Sequence, residues 1–322
     1  MGTPVFAVAS LDALVNAGAN IVAVITAPDK PGGRGMNLQQ SAVQQHAAEK
    51  GLNVLQPEKL KKPEFIQKLK ALDADLQIVV AFRMLPEVVW NMPPMGTINV
   101  HASFLPQYRG AAPINWAIIN GENETGVTTF KLKHDIDTGD ILLQEKISIS
   151  ENETAGELHD RMKVIGAALL IKTINSLGDG ELKTKPQLSI LNNKLSIGNS
   201  EVQDKHSPLT THHSPLKHAP KITTETCRID WNKPVTTIYN LVRGLSPYPA
   251  AFTELNGKKL KIFSGEKEIT KLVIAAGNYE TDGKTFLKYA CLDGFLQIKE
   301  LQLEGKKRMF IEEFLRGFRI IG

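Results

Sequence analysis

The strand-like run INVHAS places Asn99 and His101 two residues apart. Side chains of a strand alternate between its faces, so an amide and an imidazole point the same way at the C-terminal end of the run, where open α/β sheets hold ligands. A lone histidine in a strand is more often structural than catalytic, but the loop behind this one is unusual. Ser103, Pro106, Tyr108, Arg109 and Gly110 crowd a strand-to-helix turn with polar and turn-setting residues, and such crowding on a loop points to function. A second polar turn, DIDTGD at Asp135–Asp140, sits between two strand-like runs. Asp, Thr and Gly suit turn geometry on their own account. One of these carboxylates is also a candidate partner that would fix the tautomer of His101. Amide, imidazole and carboxylate together suit acyl transfer, the amide donating to a developing oxyanion while the other two handle protons. No GxSxG or comparable nucleophile motif is present, which favours direct transfer to an incoming amine over a covalent intermediate.

The Gly-rich segment PDKPGGRG (Pro28–Gly35) has neither GxGxxG nor Walker spacing, so it carries no nucleotide fingerprint. Its composition is that of a surface loop; its functional reading is that Lys30 and Arg34 meet a phosphate backbone. The histidines His206, His212, His213 and His218 lie in a Ser-, Asn- and Thr-rich stretch without carboxylate companions and are expected to be solvated rather than metal-bound. Two cysteines, Cys227 and Cys291, make neither a disulfide framework nor a thiolate metal site.

These groups need a scaffold, and 322 residues suggest two domains. With 42% hydrophobic and 22% charged residues, the chain reads as globular rather than disordered or fibrous. No apolar run reaches a membrane span and the N-terminus lacks the features of a secretory signal, so a cytoplasmic protein with no membrane partner is expected. The net charge of +4 is unevenly spread: Lys and Arg number 21 against 22 acidic residues in 1–220, and 17 against 12 in 221–322. The last third has the balance of a polyanion-binding appendage, although solvated lysines produce the same count.

Runs at Asn20–Asp29, Asn53–Pro57, Asp75–Phe82, Gly96–Ser103 and Gly126–Lys133 read as strands, interleaved with helical patterns at Ser10–Gly18, Ser41–Gly51, Pro63–Leu72 and Ala111–Gly121 and followed by a longer one at Thr154–Leu177. That alternation predicts an α/β, doubly wound, mostly parallel sheet of the Rossmann-like kind over 1–178. Residues 179–220 read as a linker, and 221–322 as a small all-β, OB-like barrel built from Lys258–Gly265, Thr270–Gly277, Gly283–Ala290 and Gly294–Gly305. The chain enters its first helix directly from MGTP, where such a domain usually opens with an apolar strand, so a missing first strand is expected.

The run NVHASFLPQYRGAAPINWAIINGENETGV (Asn99–Val127), followed by DIDTGDIL (Asp135–Leu142), resembles the signature of the 10-formyltetrahydrofolate-dependent formyltransferases. MGTPVFAVASLDAL, APDKPGGRG, LQPEKLK, APKI, RIDWNKP, VRGLSPYPAAFTELNGKKLKI and LQLEGKKRM extend the resemblance over nearly the whole chain, toward the branch that formylates the α-amine of methionyl-initiator tRNA for translation initiation. The resemblance implies catalytic roles for Asn99, His101 and Asp137, and folate contacts from Ser103, Phe104, Leu105 and Pro106, with Phe104 where Leu is usual. It implies a pterin wall at Phe82, Arg83, Met84 and Leu85, and a tRNA-reaching Arg34 beside Lys30, with Met36 and Asn37 where Lys is common. The basic positions Lys258, Lys259, Lys261, Lys306, Lys307 and Arg308 would hold the tRNA phosphates. The co-substrate would be 10-formyltetrahydrofolate, with no metal, and the enzyme a monomer. Formyltransferases of amino sugar nucleotides or glycinamide ribonucleotide, a folate-dependent deformylase, and a catalytically idle RNA-binding relative are the rival readings.

Overall fold

The computed structural model describes residues 1–32, 37–187, 215–271 and 274–317. The chain packs into two compact units, one of Met1–Arg109, Gly126–Ile147 and Asp160–Lys217, the other of Gly110–Thr125, Ser148–His159 and His218–Gly322.

In the first unit the strand Gln77–Val80 runs parallel to Thr97–His101, and Val24–Ile25 runs parallel to Val54–Leu55. Met1 and Gly2 tie the two pairs together: Gly2 bridges Val80 in parallel, its N–H donates to the Ile25 carbonyl at 3.0 Å, and the Val80 N–H donates to the Met1 carbonyl at 2.9 Å. A cavity of about 460 Å³, lined by apolar side chains including Leu11, Leu14, Leu69 and Ile78, lies beside this tie. The first helix, Val5–Asn16, starts directly after Pro4, earlier than the expected Ser10. A helix can begin there because the first N–H groups of a helix have no intrahelical partner, so the donor that proline lacks is not missed. The stripe Phe6, Ala7, Ser10 and Leu11 is buried along it.

The parallel sheet acquires an antiparallel side. Thr97–His101 pairs antiparallel with Glu124–Lys131, with Asn99 opposite Phe130 and His101 opposite Thr128. Glu124–Lys131 then passes through the DIDTGD turn into its neighbour Ile141–Ser148. A short turn can return the chain only antiparallel, because parallel neighbours need a long crossover. Ile98, Val127 and Phe130 are fully buried here. The helix Ala155–Gly178 comes close to the sheet at Gly166, where a Cβ would stand 3.3 Å from Val100 and 3.4 Å from Val127. Thr129 and Thr173 share a hydroxyl hydrogen bond of 2.8 Å, so no polar atom of that pair is left bare in the core.

The second unit is a curled antiparallel half-barrel sheet in the order Ala251–Leu255, Lys258–Ile269, Gly294–Leu303, Leu287–Ala290, Tyr279–Thr281, with Met309–Phe310 also on Gly294–Leu303. Register shifts around Ser264 supply the local bend that lets one long strand turn a corner. Thr270–Gly277, expected as a strand, forms none among its described residues; Gly277 takes φ +88° and turns the chain instead. The unit is also less purely β than expected. Val235–Leu245 is a helix whose Val235, Ile238, Tyr239, Val242 and Leu245 are buried, and this three- and four-residue spacing is the signal that the sequence reading passed over. The helix Pro113–Ile119 packs on it, the Asn115 side chain donating to the Gly244 carbonyl at 2.7 Å. No helix among the described residues is long and apolar enough to cross a membrane.

Ile298 is fully buried in the half-barrel core with Leu260, Ile262 and Leu301. Ile298→Ala is expected to remove about 2–5 kcal/mol of stability, read as a fall in the urea midpoint at unchanged slope.

Candidate active site

The end of the strand Thr97–His101 carries the imidazole, which is 7% exposed. Its Nε2 lies 2.9 Å from the Tyr108 carbonyl oxygen, which can only accept, so Nε2 carries a proton and donates. That leaves Nδ1 as the nitrogen aimed at the Asp137 carboxylate, 3.8 Å away, with both side chains largely buried. The separation is too long for a direct hydrogen bond and leaves the pair able to share a reacting group. Asn99, half-buried, follows from the same strand face by period two. Strand end and turn therefore bring imidazole and carboxylate together, and the alternation of the strand puts Asn99 on the face of the imidazole.

The loop after His101 is held from inside. Thr128 Oγ1 donates to the Ser103 carbonyl at 2.7 Å and accepts from the Leu105 N–H at 3.1 Å and from Gln144 at 3.0 Å. Gln144 also donates to the Leu105 carbonyl at 2.8 Å. Ser103 Oγ donates to the Gln107 carbonyl at 2.7 Å. Ser103, Leu105 and Pro106 are buried and Phe104 half-buried, so most of these side chains shape the loop from within. Thr128 and Gln144 were not found by sequence reasoning, since single polar residues in a strand have no pattern to mark them.

The Asp137 turn is tightly constrained. Asp137 has φ +53°, a left-handed conformation that costs a non-glycine residue about 1–3 kcal/mol and persists only where its surroundings enforce it. Gly139 cannot be larger, because a Cβ there would collide with the Lys131 carbonyl. Gln187, 2% exposed, donates to the carbonyls of Asp137 at 3.0 Å and Gly139 at 2.8 Å. Its own carbonyl oxygen accepts from Arg109 Nε at 3.1 Å and from Nη2. Burial lowers the Arg109 guanidinium below its ordinary value, with the Asp137 carboxylate acting in the opposite direction. Gln187 closes a KTKPQ segment that looks like linker in the sequence; nothing in its spacing announces the role.

The Phe82–Leu85 segment leaves the end of Gln77–Val80 with Phe82 half-buried and Leu85 in the core. Arg83 Nη1 donates to the Glu58 carbonyl at 2.7 Å and Nη2 to the Pro57 carbonyl, while Met84 is 74% exposed. Lys30 is exposed at the base of a hairpin in which Lys30–Gly32 pairs with Asn37–Gln39. Arg34 and Met36 lie outside the described residues, as do His206, His212 and His213; His218 is exposed. Among the described residues no group of three or more His, Cys, Asp or Glu is placed to hold a metal. Burial pushes the Cys291 thiol up to about 12 and raises that of Cys227, so neither is a ready nucleophile.

In the second unit, Lys258, Lys259 and Lys261 sit on Lys258–Ile269 opposite the end of Gly294–Leu303, with Lys306, Lys307 and Arg308 on the turn that follows. Their availability differs. Arg308 is bidentate to Glu300 at 2.5 and 2.6 Å and lies 4.2 Å over the Phe263 ring. Lys307 pairs with Glu313 at 3.1 Å, and Lys259 sits 4.5 Å over Phe252. Among the described residues, no ion pair engages Lys258, Lys261 or Lys306.

Gly139→Ala forces the added methyl onto the Lys131 carbonyl and is expected to cost about 1–3 kcal/mol, seen as a lowered melting temperature, because backbone cannot yield as a side-chain tip can.

Comparison with known proteins gives this site its context. Residues 1–174 match the family model described as formyl transferase, and residues 221–319 the one described as formyl transferase, C-terminal domain. Methionyl-tRNA formyltransferase of Bacteroides fragilis is 51% identical over 325 residues, covering 99% of this chain and 94% of that one. That of Parabacteroides distasonis is 53% identical over 327 residues, covering 100% and 95%. Among solved structures, WlaRD, a sugar 3N-formyl transferase solved in the presence of dTDP and 5-N-formyl-THF, superposes with a TM-score of 0.62 at 19% identity, covering 95% of this chain and 97% of that one. The N-formyltransferase of Helicobacter canadensis, in complex with folinic acid and dTDP-3-aminofucose, gives 0.60 at 19%, covering 96% and 97%. These two show a shared fold. Matched in both halves and about half identical to formyltransferases over its full length, the chain belongs to the formyl transferase family.

Proposed function

We propose that the enzyme transfers the formyl group of 10-formyltetrahydrofolate to the α-amine of methionyl-initiator tRNA, acting as a monomer in the cytoplasm. The observation that carries the reading is the buried His101–Asp137 pair at 3.8 Å, on the sheet edge that also bears Asn99. It is supported by full-length identity of 51% and 53% to proteins named for this reaction.

The amine attacks the formyl carbon, a C–N bond forms and the carbonyl oxygen becomes an oxyanion. Asn99 and protonated His101 stabilise that charge, and Asp137 accepts the proton the amine sheds. Collapse breaks the bond to the folate nitrogen, which takes up a proton as it leaves, so protons balance over the cycle. The folate would lie against Ser103–Pro106 and the Phe82–Leu85 wall. In this reading residues 1–178 bind folate and carry the chemistry, residues 179–220 join them to 221–322, and the last region holds the tRNA. Contacts to phosphates come from Lys258, Lys259, Lys261, Lys306, Lys307 and, with Arg308 already paired to Glu300, less from that guanidinium. Lys30 and Arg34 would approach the acceptor end.

The test is a turnover assay with 10-formyltetrahydrofolate and charged initiator tRNA, with an amino sugar nucleotide as control acceptor. Formylation of the sugar nucleotide but not of the tRNA would overturn the acceptor assignment. His101→Ala is expected to lower kcat by about 10²–10³ while KM for either substrate moves little. For the basic surface, tRNA affinity should fall as salt rises, and Lys306→Ala should reduce the slope of log affinity against log salt by close to 1. Binding indifferent to salt would remove the phosphate-contact role.

A further inference from the structure

The turn that presents Asp137 is held by a residue far away in sequence. Lys185 forms an antiparallel bridge with Ile141, each N–H donating to the other's carbonyl at 2.9 Å. This lays the segment along the strand that leaves the DIDTGD turn and delivers Gln187 to its interior. There the carboxamide uses both ends. Its NH₂ donates to the Asp137 and Gly139 carbonyls, and its oxygen accepts from Arg109, whose chain neighbour Tyr108 provides the carbonyl that anchors His101 Nε2. One buried side chain thus joins the backbone behind the carboxylate to the loop behind the imidazole.

We propose that Gln187 is a positioning residue for formyl transfer, setting the Asp137 carboxylate against His101 through its hydrogen bonds to the turn. An amide suits this task and its near-isosteres do not. Glutamate keeps the acceptor for Arg109 but cannot donate to two carbonyls, and methionine fills the volume with no polar handle. The left-handed backbone of Asp137 gives the bonds their leverage, since such a conformation relaxes when the contacts enforcing it are withdrawn. Residues beyond the segment reinforce the same loop: the Tyr108 N–H donates to the Lys217 carbonyl at 2.7 Å, and the Lys217 N–H to Gln107 Oε1 at 2.8 Å.

The proposal rests on Asp137 acting in the transfer, and a double-mutant cycle separates the two. In full-length enzyme, Gln187→Met and Gln187→Glu are expected each to lower kcat about tenfold or more, with KM for folate and tRNA within about twofold of the parent. In an Asp137→Asn background the same substitutions should cost less than about twofold, because the group they position is already gone. A general weakening of the fold would instead lower kcat equally in both backgrounds, and that result, or a Gln187→Glu enzyme with parental kcat, overturns the positioning role. If Asp137→Asn alone leaves kcat at the parental level, the assignment of Asp137 fails. If Asp137→Asn is slow while both Gln187 variants are parental, only the role of Gln187 fails. Thermal melts of the variants, expected within a few degrees of the parent, exclude a folding defect as the cause.

Discussion

A carboxylate and an imidazole cannot be placed face to face out of water without being held there. Taking polar groups out of solvent is costly unless their hydrogen-bonding atoms find partners. The His101–Asp137 pair meets that condition mainly through main chain and buried amides. His101 Nε2 is fixed by the Tyr108 carbonyl, the Asp137 turn by the carboxamide of Gln187, and the connecting loop by Thr128 and Gln144. The rotamer freedom of Gln144 and Gln187 is given up on folding rather than during the reaction, so the arrangement is preorganised, which is what lets a polar site stabilise a charge that exists only at the transition state.

The topology of the first unit follows from the same need. The parallel strands bring Asn99 and His101 to a strand end, but the acid comes from a turn. Antiparallel pairing leads the chain from Thr128, opposite His101, to Lys131, opposite Ile98, so the turn that follows has to fold back for Asp137 to stand 3.8 Å from His101. A purely parallel sheet would send the chain through a long crossover at that point.

The basic surface of the second unit works by different physics. Lysines and arginines near a polyanion release condensed counterions, a long-range effect that tolerates imprecise geometry. Its members are accordingly exposed or half-buried, and charge already matched within the protein, as in Arg308 with Glu300, has less to give. Precision sits on one sheet edge and attraction on a broad face, each built from the residue types suited to it.

Patterns that repeat along the chain were legible without coordinates. Alternating strand and helix gave the doubly wound class, period two put Asn99 and His101 on one face, the clustered lysines marked the basic region, and DIDTGD announced its own turn. The helix Val235–Leu245 was also written in its spacing. What no pattern could supply were contacts between residues distant in sequence: that Nε2 rather than Nδ1 meets Tyr108, that Thr128 and Gln144 brace the loop, that Arg308 is already paired, and that Gln187 closes the site from a segment resembling linker. Local periodicity reflects each element's own choice between core and solvent, whereas these contacts exist only once separate elements have docked and a buried polar atom has to find whichever partner lies within reach.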